Sequence, residues 1–272
     1  MRNLRQVLSW FWLETDRKDK LKMLSNSEIH AFRRDGFVVV PGMCDVAAVR
    51  NIADWTDEVL HWPESPGRHM VYYEDSLIAP ADRVVSRIEN FCPYHAGFDA
   101  LMQKGMLIDA ISQLMGEPAI LFKEKINMKM PGGDGFKAHQ DAQAGWNVYA
   151  DYHVTALVSI DAATPENGCL EMAAGWHNRG LIGDEWRPLD DGDGSEVVYR
   201  SCPTQPGDVV FFDSYAPHRS APNLTAAPRR VLYITYNRLS DGDHRAQYYA
   251  DKRNSFPPDI ERDAGKEYVF RV

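Results

Sequence analysis

Lys137-Ala138-His139-Gln140-Asp141 puts an imidazole and a carboxylate two residues apart, on one side of an extended backbone, where both can reach one metal ion. A third ligand must come from elsewhere. His218 in Tyr215-Ala216-Pro217-His218-Arg219-Ser220 fits, because it follows the apolar run Val209-Val210-Phe211-Phe212, which reads as a buried strand. Two neutral imidazoles and one carboxylate on one face of a metal leave the opposite positions open, the arrangement by which non-haem Fe(II) oxygenases admit a co-substrate and dioxygen. An H-x-D triplet alone is a weak signal, since an isolated pair is more often a surface salt bridge. Arg229 strengthens it. It lies 229 − 218 = 11 residues past His218, at the start of Arg230-Val231-Leu232-Tyr233-Ile234-Thr235-Tyr236, a return strand from which a planar guanidinium can reach back and hold a carboxylate through two hydrogen bonds.

Upstream, residues 119–130 alternate as a strand, with Lys123, Lys125, Asn127 and Lys129 on one face and Phe122, Glu124, Ile126, Met128 and Met130 on the other. Continued through Gly132-Gly133-Asp134-Gly135 into His139, one end of the polar face approaches the metal. Lys125, Lys129 and Lys137 are then candidate contacts for an anionic substrate; the competing reading is an edge strand whose lysines face solvent. Residues 142–153 are rich in aromatics and amides, a loop suited to close over a small polar molecule, with Trp146 and Tyr152 as candidate substrate contacts. His153 is the rival metal ligand, but residues 152–161 read as a strand, where a satisfied core or pocket histidine is expected. Helices are expected over 26–34, capped by Asn26 or Ser27, over 45–60, and over 97–115; a strand is expected over 84–91. The acidic, glycine-containing stretch 184–196 lacks the spacing of a calcium loop and reads as solvated. Many short strands with glycine and proline turns, preceded by helices, indicate a mainly β fold with flanking helices (α+β), a double-stranded β-helix of the jelly-roll or cupin-like kind.

A chain of 272 residues with 44% hydrophobic residues can form one large domain. We divide it into an N-terminal helical extension (1–24), a core (25–240) and a polar tail (241–272) expected to wrap the outside. A formal net charge of −9 argues against nucleic acid and gives no reason to expect a membrane surface. Four scattered cysteines without a C-x-x-C pair indicate reduced, buried thiols. The basic and apolar start reads as an amphipathic helix packed on the domain, because its apolar run is brief and no small-residue cleavage site follows. A soluble, cytoplasmic protein is expected.

These motifs, in this order, resemble the phytanoyl-CoA dioxygenase family. Beyond His139-Gln140-Asp141, His218, Ser220 and Arg229, the likeness takes in Phe32-Arg33-Arg34-Asp35-Gly36-Phe37-Val38-Val39-Val40, the strand Lys125 to Gly133, Pro165-Glu166-Asn167-Gly168-Cys169-Leu170, Gly175-Trp176-His177, and Gln205-Pro206-Gly207-Asp208. The chain departs from it at Ala174-Gly175-Trp176-His177, where the family more often has Pro-Gly-Ser-His. The resemblance implies Fe(II) on His139, Asp141 and His218, and 2-oxoglutarate as co-substrate with its distal carboxylate on Arg229 and Ser220. It further implies co-substrate contacts from Asn127, Thr155 and Gln140, and O2 at the remaining metal position. The reaction expected is hydroxylation with release of succinate and CO2. Asp141 keeps the position that related halogenases vacate for chloride. The expected substrate is small and anionic or zwitterionic, with 2-aminoethylphosphonate, hydroxylated beside phosphorus, the first choice, since lysines suit a phosphonate dianion. Alternatives are an ectoine- or betaine-like metabolite, an acyl-CoA, or a non-catalytic cupin-like metal-binding module.

Overall fold

The computed structural model describes residues 24–189 and 196–269. The helix expected over 1–24 falls outside them, apart from Leu24, as does residues 190–195 of the acidic stretch. Along the chain run α1 (Asn26–Asp35), β1 (Phe37–Val40), α2 (Val46–Leu60), β2 (Met70–Asp75), β3 (Arg83–Glu89), α3 (Ala96–Gln103), α4 (Met106–Met115), β4 (Ala119–Asn127) and β5 (Phe136–His139). Then follow β6 (His153–Ser159), β7 (Leu170–Met172), β8 (Arg200–Cys202), β9 (Val209–Asp213), β10 (His218–Ser220), β11 (Val231–Arg238) and α5 (Arg245–Ser255). The strands make a seven-stranded sheet in the order β1-β9-β6-β11-β4-β3-β2 and a four-stranded sheet in the order β5-β10-β7-β8. Every pairing is antiparallel. This is the expected jelly-roll core.

The period-2 pattern of the central strands explains the layering. Val154, Ala156 and Val158 of β6, Val209 and Phe211 of β9, and Leu232, Ile234 and Tyr236 of β11 turn one way, onto Ile52, Val59, Phe98, Met102, Leu107 and Ile111 of the helices. Leu157, Val210, Phe212, Val231 and Tyr233 turn the other way, onto Leu170, Met172 and Cys202 of the smaller sheet. The apolar filling between the sheets thins toward β5 and β10. That end holds the site.

Four expectations are corrected. The cap of α1 is Ser25, which forms a reciprocal capping box with Glu28: Ser25 Oγ accepts from the Glu28 N–H at 3.3 Å and Glu28 Oε2 accepts from the Ser25 N–H at 2.7 Å. The single helix expected over 97–115 is two, because Lys104 is extended and Gly105 takes φ +84°. The strand over 119–130 stops at Asn127, and it is no edge strand, since β11 and β3 flank it. Its strict alternation also fails. The register shifts between Thr235, opposite Lys123, and Tyr236, opposite Leu121, so Phe122 is an extra residue. Phe122 therefore packs with Trp146 and Tyr248, away from Glu124.

The tail beyond Asn237 does more than wrap the exterior. Arg245 of α5 forms an ion pair with the fully buried Glu124, whose backbone carbonyl and N–H also bond the Tyr249 hydroxyl at 2.9 and 3.1 Å. These bonds clamp α5 across β4, and Tyr248 and Tyr249 are buried there. Among the described residues no helix is long and apolar enough to cross a membrane. All four cysteines are buried and none is in a disulfide.

Candidate active site

His139 closes β5 and His218 opens β10, and the antiparallel register sets them directly opposite each other, with ring centroids 4.3 Å apart. Asp141 begins the short turn Asp141–Ala144 just after β5. Its Oδ1 lies 4.0 Å from His139 Nε2 and 3.9 Å from His218 Nε2, and one ligand atom from each of the three falls within 4.8 Å of the others. His139 Nδ1 meets the Lys137 carbonyl at 2.6 Å, and His218 Nδ1 meets the Ala216 carbonyl at 3.0 Å. A carbonyl can only accept, so both Nδ1 atoms carry the proton and both Nε2 lone pairs are free to bind a metal. Burial, and then His218, pushes the His139 pKa down to about 3, and burial lowers His218 too, which keeps both rings neutral. Burial alone would raise the Asp141 carboxyl; His218, Lys123 and Lys125 outweigh it and leave it below its ordinary value. The donor set fits Fe(II) with a vacant face.

Beside the triplet is a basin of buried donors. Arg229, 2% exposed, precedes β11; its Nε has no partner among the described residues, and the guanidinium lies beside the Tyr233 hydroxyl. Tyr233 also contacts Asn127, whose Oδ1 is unpartnered. Lys129 Nζ donates to Ser220 Oγ at 2.8 Å and to the Gly168 carbonyl at 3.4 Å. Burial, and then Arg229, pushes the Lys129 pKa down to about 7. Lys129 holds φ at +36°, a strained value for a non-glycine residue that costs about 1 kcal/mol. Gly168 (φ +73°) lets this corner close: a Cβ there would sit 2.0 Å from the Ala221 carbonyl oxygen. Two cations crowd together with no carboxylate hydrogen-bonded to either. Such a basin fits the carboxylate end of 2-oxoglutarate.

A cavity of about 590 Å³ opens from His139 and Asp141 between β3, β4 and α5. Arg87, Glu89, Lys123, Lys125 and Lys252 give it charge, and Phe136, Trp146, Tyr149 and Tyr248 give it aromatic walls. A second cavity, of about 490 Å³, reaches His139 from the side of Ser220, Glu74 and Asp134 and shares Arg87 and Phe136 with the first.

The model of the phytanoyl-CoA dioxygenase (PhyH) family matches residues 32–231. The chain belongs to this family. A 2-aminoethylphosphonate dioxygenase from an uncultured bacterium is 43% identical over 251 residues, covering 87% of this chain and 90% of that protein. A methylphosphonate hydroxylase from Gimesia maris is 42% identical over 234 residues, covering 86% and 88%. Among solved structures, EctD from S. alaskensis with 2-oxoglutarate and 5-hydroxyectoine matches with a TM-score of 0.69 at 22% identity, over 80% of this chain and 77% of that one, a likeness of fold. The PhyH-family chain is thus an Fe(II)- and 2-oxoglutarate-dependent dioxygenase.

The other residues expected at this dioxygenase's site divide into those at the cavity and those elsewhere. Lys125 and Trp146 line the main cavity. Lys129 belongs to the carboxylate basin, not the substrate side. Lys137 is exposed at the rim of the second cavity, and its carbonyl orients His139. Thr155 is buried and bonded to Thr235 at 2.9 Å, on the inner face of β6. Tyr152 is a correction: it lies near Asp213 with its ring under Arg238, 4.9 Å away, outside both cavities. His153 is buried between Phe122 and Trp146 with Nε2 unpartnered and lies outside the metal triplet.

Gln140 is the other correction. Its amide nitrogen donates to the carbonyls of Gly180 and Tyr215 at 2.8 and 2.7 Å, and its oxygen accepts from the Ile182 N–H at 2.8 Å. It ties the 180–182 segment and the His218 turn to the metal strand, leaving nothing for a co-substrate. Gln140→Ala is expected to lower stability by about 3 kcal/mol, roughly 1 per bond, read as a fall in melting temperature. The KM for 2-oxoglutarate should move little; a large rise would restore Gln140 as a co-substrate contact.

Sequence reading passed over Arg87, Glu89, Lys123, Tyr248 and Lys252. Arg87 and Glu89 carried a signal as charged residues sharing a face of a strand, and Lys123 as a member of the polar face it shares with Lys125. Lys252 sits in a polar helix that reads as surface.

Proposed function

We propose that this dioxygenase hydroxylates the carbon bonded to phosphorus in a small organophosphonate, with 2-aminoethylphosphonate the first candidate and methylphosphonate the second. The observation that carries the reading is the cationic inner part of the cavity beside His139 and Asp141. Buried Arg87 and Lys123 and half-buried Lys125 and Lys252 line it, against Glu89 as the one buried acid of the lining besides Asp141, which suits a dianion. The two phosphonate-acting relatives support the same substrate class.

In this reading His139, Asp141 and His218 hold the iron and the basin of Arg229, Lys129, Ser220 and Tyr233 holds the distal carboxylate of 2-oxoglutarate. When bound, iron, 2-oxoglutarate and O2 would supply the oxidising power that converts C–H to C–OH, one atom of O2 entering the product hydroxyl and the other the succinate formed with CO2. The protein's share is positioning. Hydrogen bonds from Nδ1 fix the two imidazoles, the crowded guanidinium and ammonium fix the keto acid, and Trp146, Tyr248 and Phe136 keep water from the reacting carbon. The acyl-CoA alternative is disfavoured, since the cavity beside the triplet is ringed by charge. A non-catalytic role leaves two buried cations in the carboxylate basin without purpose.

The core and the tail act as one domain, because α5 of the tail walls the cavity. Four buried cysteines outside any disulfide fit a reducing cytoplasm. Incubation with Fe(II), 2-oxoglutarate and each phosphonate should release one succinate per phosphonate consumed, with ectoine, betaines and amino acids much slower. Succinate release that ignores every phosphonate would overturn the reading.

A further inference from the structure

Arg87 and Lys252 do not act as free cations. Lys252 Nζ bonds both oxygens of Glu89, at 2.7 and 2.8 Å, and Arg87 Nε bonds Oε1 at 2.7 Å. Glu89 is thereby spent, and Asp141 is committed to the metal. Lys123 and Lys125 remain. Two residues apart on β4, they share the face that lines the cavity. Lys123 Nζ sits 4.1 Å over the Trp146 ring and 3.4 Å from the Tyr248 hydroxyl. Lys125 Nζ lies 4.8 Å over Tyr233 and 5.5 Å over Phe136 and makes no hydrogen bond to any described residue. Neither ammonium meets a carboxylate, although both are withdrawn from bulk water and lie close enough to repel each other.

We propose that Lys123 and Lys125 form a two-pronged cradle for the phosphonate dianion, and that this pair, with the Arg87–Glu89–Lys252 cluster closing off the other buried acid of the cavity lining, sets the preference for phosphonate over carboxylate. The inference rests on the phosphonate reading above and deepens it. A dianion satisfies both prongs, whereas a monoanionic carboxylate leaves one buried ammonium uncompensated. The cradle also agrees with the reaction's geometry: the carbon to be hydroxylated is bonded to phosphorus, so the phosphonate must lie next to the metal, and Lys125 shares the cavity with His139 and Asp141. Among the described residues, an ammonium on the substrate's far end finds no uncommitted acid at this depth; the other acids of the lining, Asp251, Glu185 and Glu267, lie toward the opening. The deep half therefore reads phosphonate alone, and substrates with or without an amine can share it.

The test is anaerobic titration of the iron- and 2-oxoglutarate-loaded protein with methylphosphonate and with acetate, followed by aerobic kinetics. Wild type should bind methylphosphonate at least about tenfold more tightly than acetate. Lys123→Met and Lys125→Met, which keep an apolar stem against the rings, should each weaken methylphosphonate about 30-fold or more and erase the preference. The iron–2-oxoglutarate charge-transfer band should survive in both. Lys125→Gln is the second variant should Lys123→Met fail to fold. Variants that bind methylphosphonate as wild type does overturn the cradle, as does a Lys125 variant that loses only the charge-transfer band, which would assign that lysine to the co-substrate. The two readings fail separately. Wild type that binds methylphosphonate without releasing succinate from any phosphonate sinks the proposed reaction and leaves the cradle standing; variants that turn over phosphonate at unchanged KM sink the cradle alone.

Discussion

His139→Ala is expected to cut succinate release by about three orders of magnitude, near 4 kcal/mol of barrier at 1.36 kcal/mol per decade, while the metal-free protein still folds. The imidazole is one of only three ligands, so its loss leaves Asp141 and His218, too few to hold Fe(II) against water. Its structural contribution is small by comparison. The ring is neutral, its one internal hydrogen bond is to the Lys137 carbonyl two residues away, and β5 keeps its backbone pairing to β10 without it. Iron content after reconstitution and the thermal melt of the metal-free protein measure the two effects apart. A variant that retains stoichiometric iron and full turnover would mean that the metal sits elsewhere.

Arg229→Met should act on stability and on co-substrate in opposite senses. In the unliganded chain the guanidinium is buried beside Lys129, with Nε unpartnered and no carboxylate bonded to it, and burial lowers its pKa. Replacing it with an apolar side chain of similar length removes a desolvated charge and relieves Lys129, so the melting temperature should rise or hold. The same change removes a charge-assisted, two-pronged partner for the distal carboxylate of 2-oxoglutarate. KM for the co-substrate should rise about 100-fold, equivalent to about 2.7 kcal/mol. A lower melting temperature with unchanged KM would make Arg229 a structural residue and move the keto acid elsewhere.

The pairing of these outcomes reflects how the site is arranged. Each half of the cavity system holds two cations to which no carboxylate of the described residues is bonded: buried Arg229 with Lys129 on one side of the metal triplet, buried Lys123 with half-buried Lys125 on the other. Charges so placed oppose folding until ligands arrive, the usual signature of positions kept for binding rather than stability. Two anionic ligands complete the electrostatics that the chain leaves open.

What the sequence determined was everything that depends on spacing along a strand. His139 and Asp141 lie two apart, Lys123 and Lys125 lie two apart, and the alternation of β6, β9 and β11 separates the helix-facing side from the side between the sheets. Arg229, at the mouth of a return strand, was legible for the same reason, and so was the jelly-roll class. What tertiary structure alone decided was what stands opposite each face. Glu124 meets Arg245 and Tyr249 across more than a hundred residues, Lys129 finds Ser220 across 91, and Glu89 finds Lys252 across 163. A single extra residue at Phe122 turned its ring onto Trp146 and Tyr248, and a polar tail helix became a wall of the cavity. Periodicity states which way a side chain points relative to its neighbours on the same strand; it carries no information about the partner brought up by long-range pairing, and it was those partners that neutralised Glu89, occupied Gln140 and left two lysines without a counter-charge.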